Sequence, residues 1–237
     1  MARTPLFRIV ESQNVELARQ LLLAGANVLE PSGFDAMTPL RKAVDLHNSD
    51  MVDLLLRFGA NPDELTPWNG TLIHLIAYRW MGPEAGQDAE RERRLTDVAR
   101  RLIQHRVDVN TRDDRGFTAL HMAAQNCHVA MVRVMLDCPH LNPEQRATDG
   151  LGHHTDGQTA EQMVARMLVT RVALALPGQT AHVDATREIL AMLRAEPERR
   201  AQERCVAFAM ALHPRLGVAS PVSDLEPGLV RMVLESP

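Results

Sequence analysis

The chain has 237 residues, of which 45% are hydrophobic, 26 are basic and 30 are acidic, and its formal net charge at pH 7 is −4. A hydrophobic share of this size can fill a core, so the composition excludes a chain that is disordered throughout. The acidic balance and an aromatic content of 3% argue against a nucleic-acid groove, which needs excess positive charge and stacking rings.

The cysteine count and the hydropathy pattern bear on the compartment. Three cysteines are an odd and small number, which fits a reducing compartment better than a disulfide framework. No apolar run approaches the length of about 18 residues that a membrane helix needs, and the first residues lack the apolar stretch of a signal peptide. We therefore expect a cytoplasmic protein without membrane insertion, and a nuclear location stays open.

A short opening motif of the type Thr-Pro-Leu recurs along the chain. Its copies begin at Thr4, Thr38, Thr71, Thr118 and Thr159, and each threonine can cap a helix that follows it. Apolar residues at helical spacing after each opening predict two short helices and an extended loop per copy. One such unit cannot bury its apolar faces alone, so the copies are expected to stack.

The fourth copy, residues 114–124, is the fullest. Together the motifs over residues 4–142 resemble the ankyrin repeat, with its T-P-L-H-x-A-A opening and its L-L-x-x-G-A-D-V-N close. The resemblance implies an all-α ankyrin-repeat solenoid of about five helix-turn-helix repeats with short hairpin-like loops and a helical C-terminal cap. The expected repeats lie near 4–36, 37–69, 70–116, 117–157 and 158–196, and the cap or tail covers 197–237.

The resemblance also implies roles for single residues. His74 and His121 match the ankyrin histidine that hydrogen-bonds between repeats. Asn110 lies where ankyrin proteins can be hydroxylated on asparagine, so its modification is a hypothesis that rests on the resemblance alone.

The third copy is longer than the first. Thr71 to Arg106 spans 35 positions where Thr4 to Gly25 spans 21, so 14 residues are inserted. The charged part of the insertion, residues 90–94, predicts an extended second helix in this copy.

No motif for catalysis or metal binding stands out. The cysteines and histidines at 127–140 lack the tight pairs that zinc sites use. The chain has no nucleophile elbow, no phosphate-binding glycine loop and no metalloprotease motif. We therefore predict no metal, no cofactor, no catalytic residue and no enzyme activity, with the loop at 150–158 as the place where an activity would otherwise reside.

The loop tips and first helices of stacked repeats form one face that can bind a partner. Aromatic and arginine side chains, which dominate binding hot spots, recur at these tips and on the insertion. The predicted partner-binding residues are Phe34, Asp35, Trp68, Asn69, Trp80, Arg112, Asp113, Asp114, Arg115 and Phe117. They favour a non-catalytic scaffold that binds a protein partner, although Trp68 and Phe117 could instead pack between neighbouring tips.

The last 41 residues, 197–237, depart from the repeat pattern. Pro197 is expected to open a separate helix that runs to about Leu212. The tail resembles that of ankyrin-repeat proteins from algal and other protist genomes, and its final helix resembles the opening of an F-box, which docks a substrate receptor onto a ubiquitin-ligase adaptor. The apolar residues that carry this resemblance are Leu225, Leu229, Val230, Val233 and Leu234. The alternative to such an adaptor tail is a helix that covers the open end of the stack.

Overall fold

The computed structural model describes residues 3–32, 36–79, 89–148, 157–174 and 181–212. Within these ranges the chain forms ten α-helices and isolated antiparallel bridges but no strands, so the predicted all-α class is confirmed. The helices are α1 (Pro5–Glu11), α2 (Val15–Leu23), α3 (Pro39–Asp45), α4 (Ser49–Arg57), α5 (Leu72–Arg79), α6 (Ala89–Gln104), α7 (Ala119–Gln125), α8 (Val129–Leu136), α9 (Ala160–Leu174) and α10 (Ala181–Leu212).

Threonine caps explain where the first helix of a repeat begins. The side-chain oxygens of Thr4, Thr38 and Thr118 each accept a hydrogen bond from the backbone N–H three residues later. Pro5 and Pro39 occupy the first helical position, where a backbone N–H would have no partner within the helix. The recurring motif is therefore a helix start signal in physical terms.

The turn between the two helices of a repeat requires a left-handed residue. Gln13, His47 and Cys127 take this role with φ of 57°, 54° and 59°. None of them is glycine, so each carries the steric cost of about 1–2 kcal/mol that a Cβ adds in this conformation. Asn14 and Asn48 then cap the second helix with their side-chain oxygens.

The helices stack in two layers. The first helices α1, α3, α5, α7 and α9 lie side by side, and the second helices α2, α4, α6 and α8 form the other layer. The largest fully buried side chains of these helices are Leu40, Met51, Leu55, Leu72, Ile73, Ile76, Leu95, Leu102, Leu120, Met131 and Met135, and Ile189 of α10 is buried to the same extent. Burial of each such side chain contributes about 1.5–3 kcal/mol, so the stack is stabilised by apolar packing between repeats.

The insertion in the third repeat lengthens its second helix, as the charge pattern predicts. α6 has 16 residues where α4 has 9. Its first turns expose Glu90, Arg93 and Arg94, and the later turns bury Leu95 and Leu102. Trp80, also on the insertion, lies outside the described residues.

The chain divides into two compact units, residues 1–190 and 191–237. The expectation of a separate helix from Pro197 is wrong, because Pro197 lies inside α10. A carboxylate holds the turn that contains the proline, since buried Glu196 accepts hydrogen bonds from Arg199 and Arg200. Burial raises the pKa of Glu196, but these two bonds outweigh burial and the net shift is downward. The five predicted tail residues, from Leu225 to Leu234, lie outside the described residues, and the repeat and tail boundaries stay predictions.

Candidate functional site

The loops between repeats form hairpin-like fingers at the start of the first helices. In finger 3, residues 66–70, the N–H of Thr66 donates to the carbonyl of Gly70 at 2.7 Å. In finger 4, residues 113–117, the N–H of Asp113 donates to the carbonyl of Phe117 at 2.9 Å. Asn69 and Gly116 take the left-handed conformation at the tips.

Trp68 folds back from finger 3 onto α5. Its ring centroid lies 6.0 Å from the ring of Tyr78, with the rings tilted by 50°, and 6.4 Å from the ring of His74. Trp68 is half-buried and Tyr78 is 44% exposed, so the pair presents a partly open aromatic surface. We call Trp68 and Tyr78 the aromatic platform.

Gly70 makes room for this arrangement. A Cβ at residue 70 would lie 2.2 Å from Cζ3 and 2.7 Å from Cε3 of the Trp68 ring. Such distances are far below van der Waals contact, so any other residue at this position has to displace the indole. The platform is therefore preorganised by the sequence Trp-Asn-Gly of the finger itself.

A buried carboxylate organises finger 4. The Asp113 side chain is 1% exposed, and its Oδ1 accepts hydrogen bonds from the N–H groups of Arg115 at 3.0 Å and Phe117 at 2.9 Å. Its Oδ2 accepts from Nε of Arg115 at 3.3 Å. Phe117 is also buried, and the Arg115 guanidinium lies 5.8 Å from the centre of its ring. Asp113 and Phe117 thus build the finger, whereas Arg115 and Asp114 remain exposed on it.

Neighbouring fingers are linked by polar contacts. Nδ2 of Asn69 donates to Oδ1 of Asp114 at 2.6 Å, and the N–H of Asp114 donates to the carbonyl of Trp68 at 3.1 Å. Beyond finger 4, Arg112 Nη2 donates to the carbonyl of Arg146 at 3.1 Å. Arg146 in turn donates from Nη1 to the carbonyl of Gly157 at 2.6 Å. We call the exposed residues Arg112, Arg115 and Arg146 the arginine cluster.

Two buried histidines join consecutive repeats, as predicted. His74 accepts the N–H of Thr71 at Nδ1, 3.1 Å away, and donates from Nε2 to the carbonyl of Phe117 at 3.1 Å. His121 makes the equivalent Nε2 contact with the carbonyl of Gln158 at 3.1 Å. Burial lowers the pKa of both rings, that of His121 to about 4, so both are neutral at pH 7.

The residues predicted for this face and those that the structure places there are not the same. Phe34, Asp35 and Trp80 lie outside the described residues. The motif search missed Tyr78, Gly70 and Arg146, and a signal for Tyr78 did exist. Tyr78 follows its opening threonine by seven positions, where the other copies carry the variable polar residues Glu11, Asp45, Gln125 and Arg166.

Asn110 has a structural role in the neighbouring loops. Its Nδ2 donates to the carbonyl of His140 at 2.8 Å, and its Oδ1 accepts the N–H of Asn142 at 2.7 Å. The side chain therefore ties the loop that ends the third repeat to the loop that ends the fourth. Its hydroxylation stays a hypothesis.

The described ranges contain neither a metal-binding group of side chains nor a membrane-spanning helix. No group of three or more His, Cys, Asp or Glu side chains there is arranged to hold a metal ion. Among the helices of the same ranges, none combines the length and the apolar character that crossing a bilayer requires.

Comparison with known proteins supports the repeat architecture. Residues 35–67 match the family described as "Ankyrin repeat", and residues 94–136 match the family described as "Ankyrin repeats (many copies)". An ankyrin repeat protein of fowlpox virus, FPV230, is 27% identical over 151 residues, which cover 56% of this chain and 80% of the viral protein.

Two larger proteins match shorter parts of the chain. The human 2-5A-dependent ribonuclease is 40% identical over 72 residues, 30% of this chain and 10% of that protein. Alpha-latrocrustotoxin-Lt1a of Latrodectus tredecimguttatus is 30% identical over 100 residues, 42% of this chain and 6% of the toxin. Together with the stacked helix pairs, the threonine caps and the inter-repeat histidines, these matches show that the chain belongs to the ankyrin-repeat family.

Proposed function

We propose that the protein is a non-catalytic interaction module that binds a protein partner on the face made by its fingers and first helices. Ankyrin repeats generally mediate protein–protein interaction, and the aromatic platform of Trp68 and Tyr78 supports this face as the contact surface. Tryptophan and tyrosine are enriched among the residues that dominate binding energy.

The rigidity of the platform favours binding. Trp68 is confined between Tyr78, His74 and the backbone of Gly70, so it loses little side-chain entropy when a partner covers it. The surrounding polar groups of Asn69 and Asp114 already bond to each other and provide the rim that such interfaces carry. An aromatic centre with a polar rim is the arrangement expected of a protein-binding patch.

A selection with a displayed library of random peptides tests this proposal. We expect the wild-type chain to enrich related peptides, and Trp68→Ala and Gly70→Ala to lose them. Gly70→Ala is the sharper variant, because it retains every polar and aromatic group and its Cβ conflicts most severely with the indole, at 2.2 Å, whereas the Cβ of His74 lies 3.0 Å away. Gln20→Ala, an exposed position on α2, is the control that should retain binding.

Two results would contradict the proposal. Wild-type chain that enriches no peptide family would remove the binding function. Retained binding in both platform variants, with helicity and thermal melting like those of the wild type, would place the contact elsewhere.

The ubiquitin-ligase adaptor remains the alternative, and it depends on the tail residues outside the described ranges. Its test is Leu229→Asp together with Val233→Asp, which should abolish binding of a purified ligase adaptor and leave peptide binding at the fingers unchanged. The activity in the name of the human relative is not transferred to this chain, because the match covers 10% of that protein.

A further inference from the structure

We propose that acid releases the segment bound at this face, because protonation of His74 and His121, the two buried imidazoles beneath fingers 3 and 4, loosens both fingers. The release of a partner rests on the proposed protein-binding function. The loosening of the fingers is a property of the chain itself and is measured without a partner.

The two imidazoles belong to the repeats that build the candidate site. The third and fourth repeats carry His74 and His121 three residues after the opening threonine. The same position holds Phe7, Arg41 and Gln162 in the first, second and fifth repeats. At this position, a side chain that titrates between neutral and acid pH therefore lies only in the repeats of fingers 3 and 4.

Both nitrogens of each ring already have hydrogen-bond partners. Nδ1 of His74 accepts the N–H of Thr71 and lies 3.0 Å from Oγ1 of the same residue. Nδ1 of His121 likewise lies 2.7 Å from Oγ1 of Thr118 and accepts the N–H of that residue. Nε2 of each ring donates to a backbone carbonyl of the next repeat. A second proton therefore enters at Nδ1, turns this acceptor into a donor, and leaves the threonine N–H without its partner.

These contacts connect the imidazoles to the platform. The ring of His74 packs edge-on against Trp68, with the centroids 6.4 Å apart and the planes at 79°, while its Nε2 bonds to the carbonyl of Phe117. The ring of His121 lies 6.0 Å from the ring of Phe117. A shift of either imidazole therefore removes support from Trp68, from Phe117 or from both.

Burial sets the direction of the response. His74 is 0% exposed and His121 is 1% exposed, and burial lowers the pKa of both rings, that of His121 to about 4. Asp113 of finger 4 favours the protonated form of both rings, whereas Arg115 opposes it at His74 and Arg112 opposes it at His121. The charge of His74 also disfavours that of His121. Both rings are thus neutral in the closed fingers and gain a proton when the fingers open.

The helices beside α5 and α7 also carry charged and titratable groups. On α3, Arg41 acts on Glu64, whose pKa is raised by burial, so acid favours the folded state at this group. On α6, Glu92 lies 4.0 Å from Nε2 of His128, and burial lowers the pKa of His128 to about 4. Acid therefore weakens the third and fourth repeats at three histidines, whereas Glu64 responds in the opposite direction.

The size of the effect follows from the pKa of His121. In an open finger the ring has its ordinary pKa of 6.5, and in the closed finger the pKa is about 4. Between about pH 7.5 and about pH 5.5, the equilibrium towards the open finger therefore rises about tenfold from this ring alone. His74 adds an effect in the same direction.

Amide hydrogen exchange of the full chain, without a partner, tests the loosening. After correction for the intrinsic exchange rate, we expect protection of the fragments 66–75 and 113–122 to fall at least about tenfold between about pH 7.5 and about pH 5.5. The fragment 15–23, which forms α2, should lose less than about twofold. Far-UV circular dichroism should show unchanged helicity over the same range.

Glutamine variants assign the response to the two rings. In the fifth repeat, Oε1 of Gln162 accepts the N–H of Thr159 at 3.1 Å, so a glutamine makes the same bond without titrating. His74→Gln with His121→Gln should therefore keep the protection of both fingers nearly constant with pH. His140→Gln, which changes an exposed histidine in the loop after α8, is the control and should respond as the wild type does.

The effect on a partner is measured by fluorescence anisotropy with a peptide from the wild-type selection that contains no His, Asp or Glu. Its affinity for the wild-type chain should fall at least about threefold between about pH 7.5 and about pH 5. Its affinity for the double glutamine variant should stay constant. If that variant does not fold, NMR of the wild-type chain labelled with [15N]histidine reads the protonation of each ring directly, and rings that stay neutral while the fingers loosen overturn the proposal.

The remaining outcomes separate the acid response from the function. Constant protection of both fingers in the wild type, or an unchanged pH response in the double glutamine variant, overturns the proposal. Loss of helicity in step with the fingers also overturns it, because the whole stack would then unfold. A bound peptide whose affinity does not change while the fingers loosen overturns the release. Loosened fingers in a wild-type chain that selects no peptide support the acid response and count against the binding function alone.

Discussion

The second helices and the fingers of this protein differ in the partners to which their exposed polar side chains bond. On the second helices, several ion pairs join residues three or four positions apart, as between Asp97 and Arg100, although Asp53 also bonds to His105 of the next repeat and Arg133 pairs with Glu188 of α10. In the fingers, polar groups bond across repeats, with Asn69 bonded to Asp114 and Arg112 bonded to the carbonyl of Arg146. A local pair forms in any helix, whereas the finger contacts exist only when the repeats are stacked. The polar contacts of the fingers thus depend on the stacking of the repeats, and they can be preorganised for a partner.

The largest effect should come from the carboxylate that organises finger 4. Asp113→Ala leaves the N–H groups of Arg115 and Phe117 without their acceptor, in a buried place. We expect a loss of about 2–3 kcal/mol in the free energy of unfolding, measured with urea. Asp114→Ala, the exposed neighbour, is the control and should change stability by less than about 1 kcal/mol. Equal losses in the two variants would contradict the role of Asp113.

The next effect concerns pH and the inter-repeat histidines. Burial lowers the pKa of His121 from 6.5 to about 4. Between these two pH values the ring is therefore protonated in the unfolded chain and neutral in the folded chain. The stabilisation is therefore complete above pH 6.5 and is lost as pH falls towards 4. Between pH 7 and 5 we expect a loss of about 2 kcal/mol from this group. His121→Gln should flatten that part of the stability curve, and an unchanged slope would contradict the assignment.

A smaller increase in the free energy of unfolding is expected from a substitution in the turn between the two helices of the first repeat. Gln13 has φ of 57° and an exposed side chain, so Gln13→Gly removes the strain of a Cβ in the left-handed region. We expect the free energy of unfolding to rise by about 0.5–1 kcal/mol. Gln20→Gly, inside α2, is the opposite control and should lower it by about 1 kcal/mol. A loss at both positions would show that the turn is not strained.

The smallest change in the free energy of unfolding should come from the removal of an ion pair on the second helices. Arg100→Gln removes an exposed pair with Asp97, and we expect a change below about 0.5 kcal/mol. The measurement is the same urea unfolding, repeated at high salt, where the difference should vanish. A larger loss would mean that these local pairs matter more to the stack than the contrast between the two regions implies.

The repeats were predictable because their signals are local in sequence. A threonine followed by proline specifies a helix start at Thr4 and Thr38 wherever the chain lies. The extension of α6 also follows from its own charge pattern. These features therefore needed only the sequence and general helix chemistry.

The features that define the candidate site depend on contacts between residues that are far apart in sequence, or on the room available to a side chain. Trp68 was predicted as a tip residue, but its position over Tyr78 depends on the missing Cβ of Gly70. Phe117 was predicted as a contact residue but lies buried, and Asp113 fixes its backbone by accepting the hydrogen bond from its N–H. Pro197 predicts a helix start, since a proline inside a helix is uncommon, but it lies inside α10, where Glu196 pairs with Arg200.

Fluorine NMR of the chain labelled with 5-fluorotryptophan shows directly whether a bound partner covers Trp68. The chain has two tryptophans, so Trp80→Phe assigns the two signals. A saturating peptide from the wild-type selection should shift the Trp68 signal, and Gly70→Ala should shift it without peptide and abolish the response. A Trp68 signal that stays unchanged while the peptide is bound would contradict a binding site at the aromatic platform.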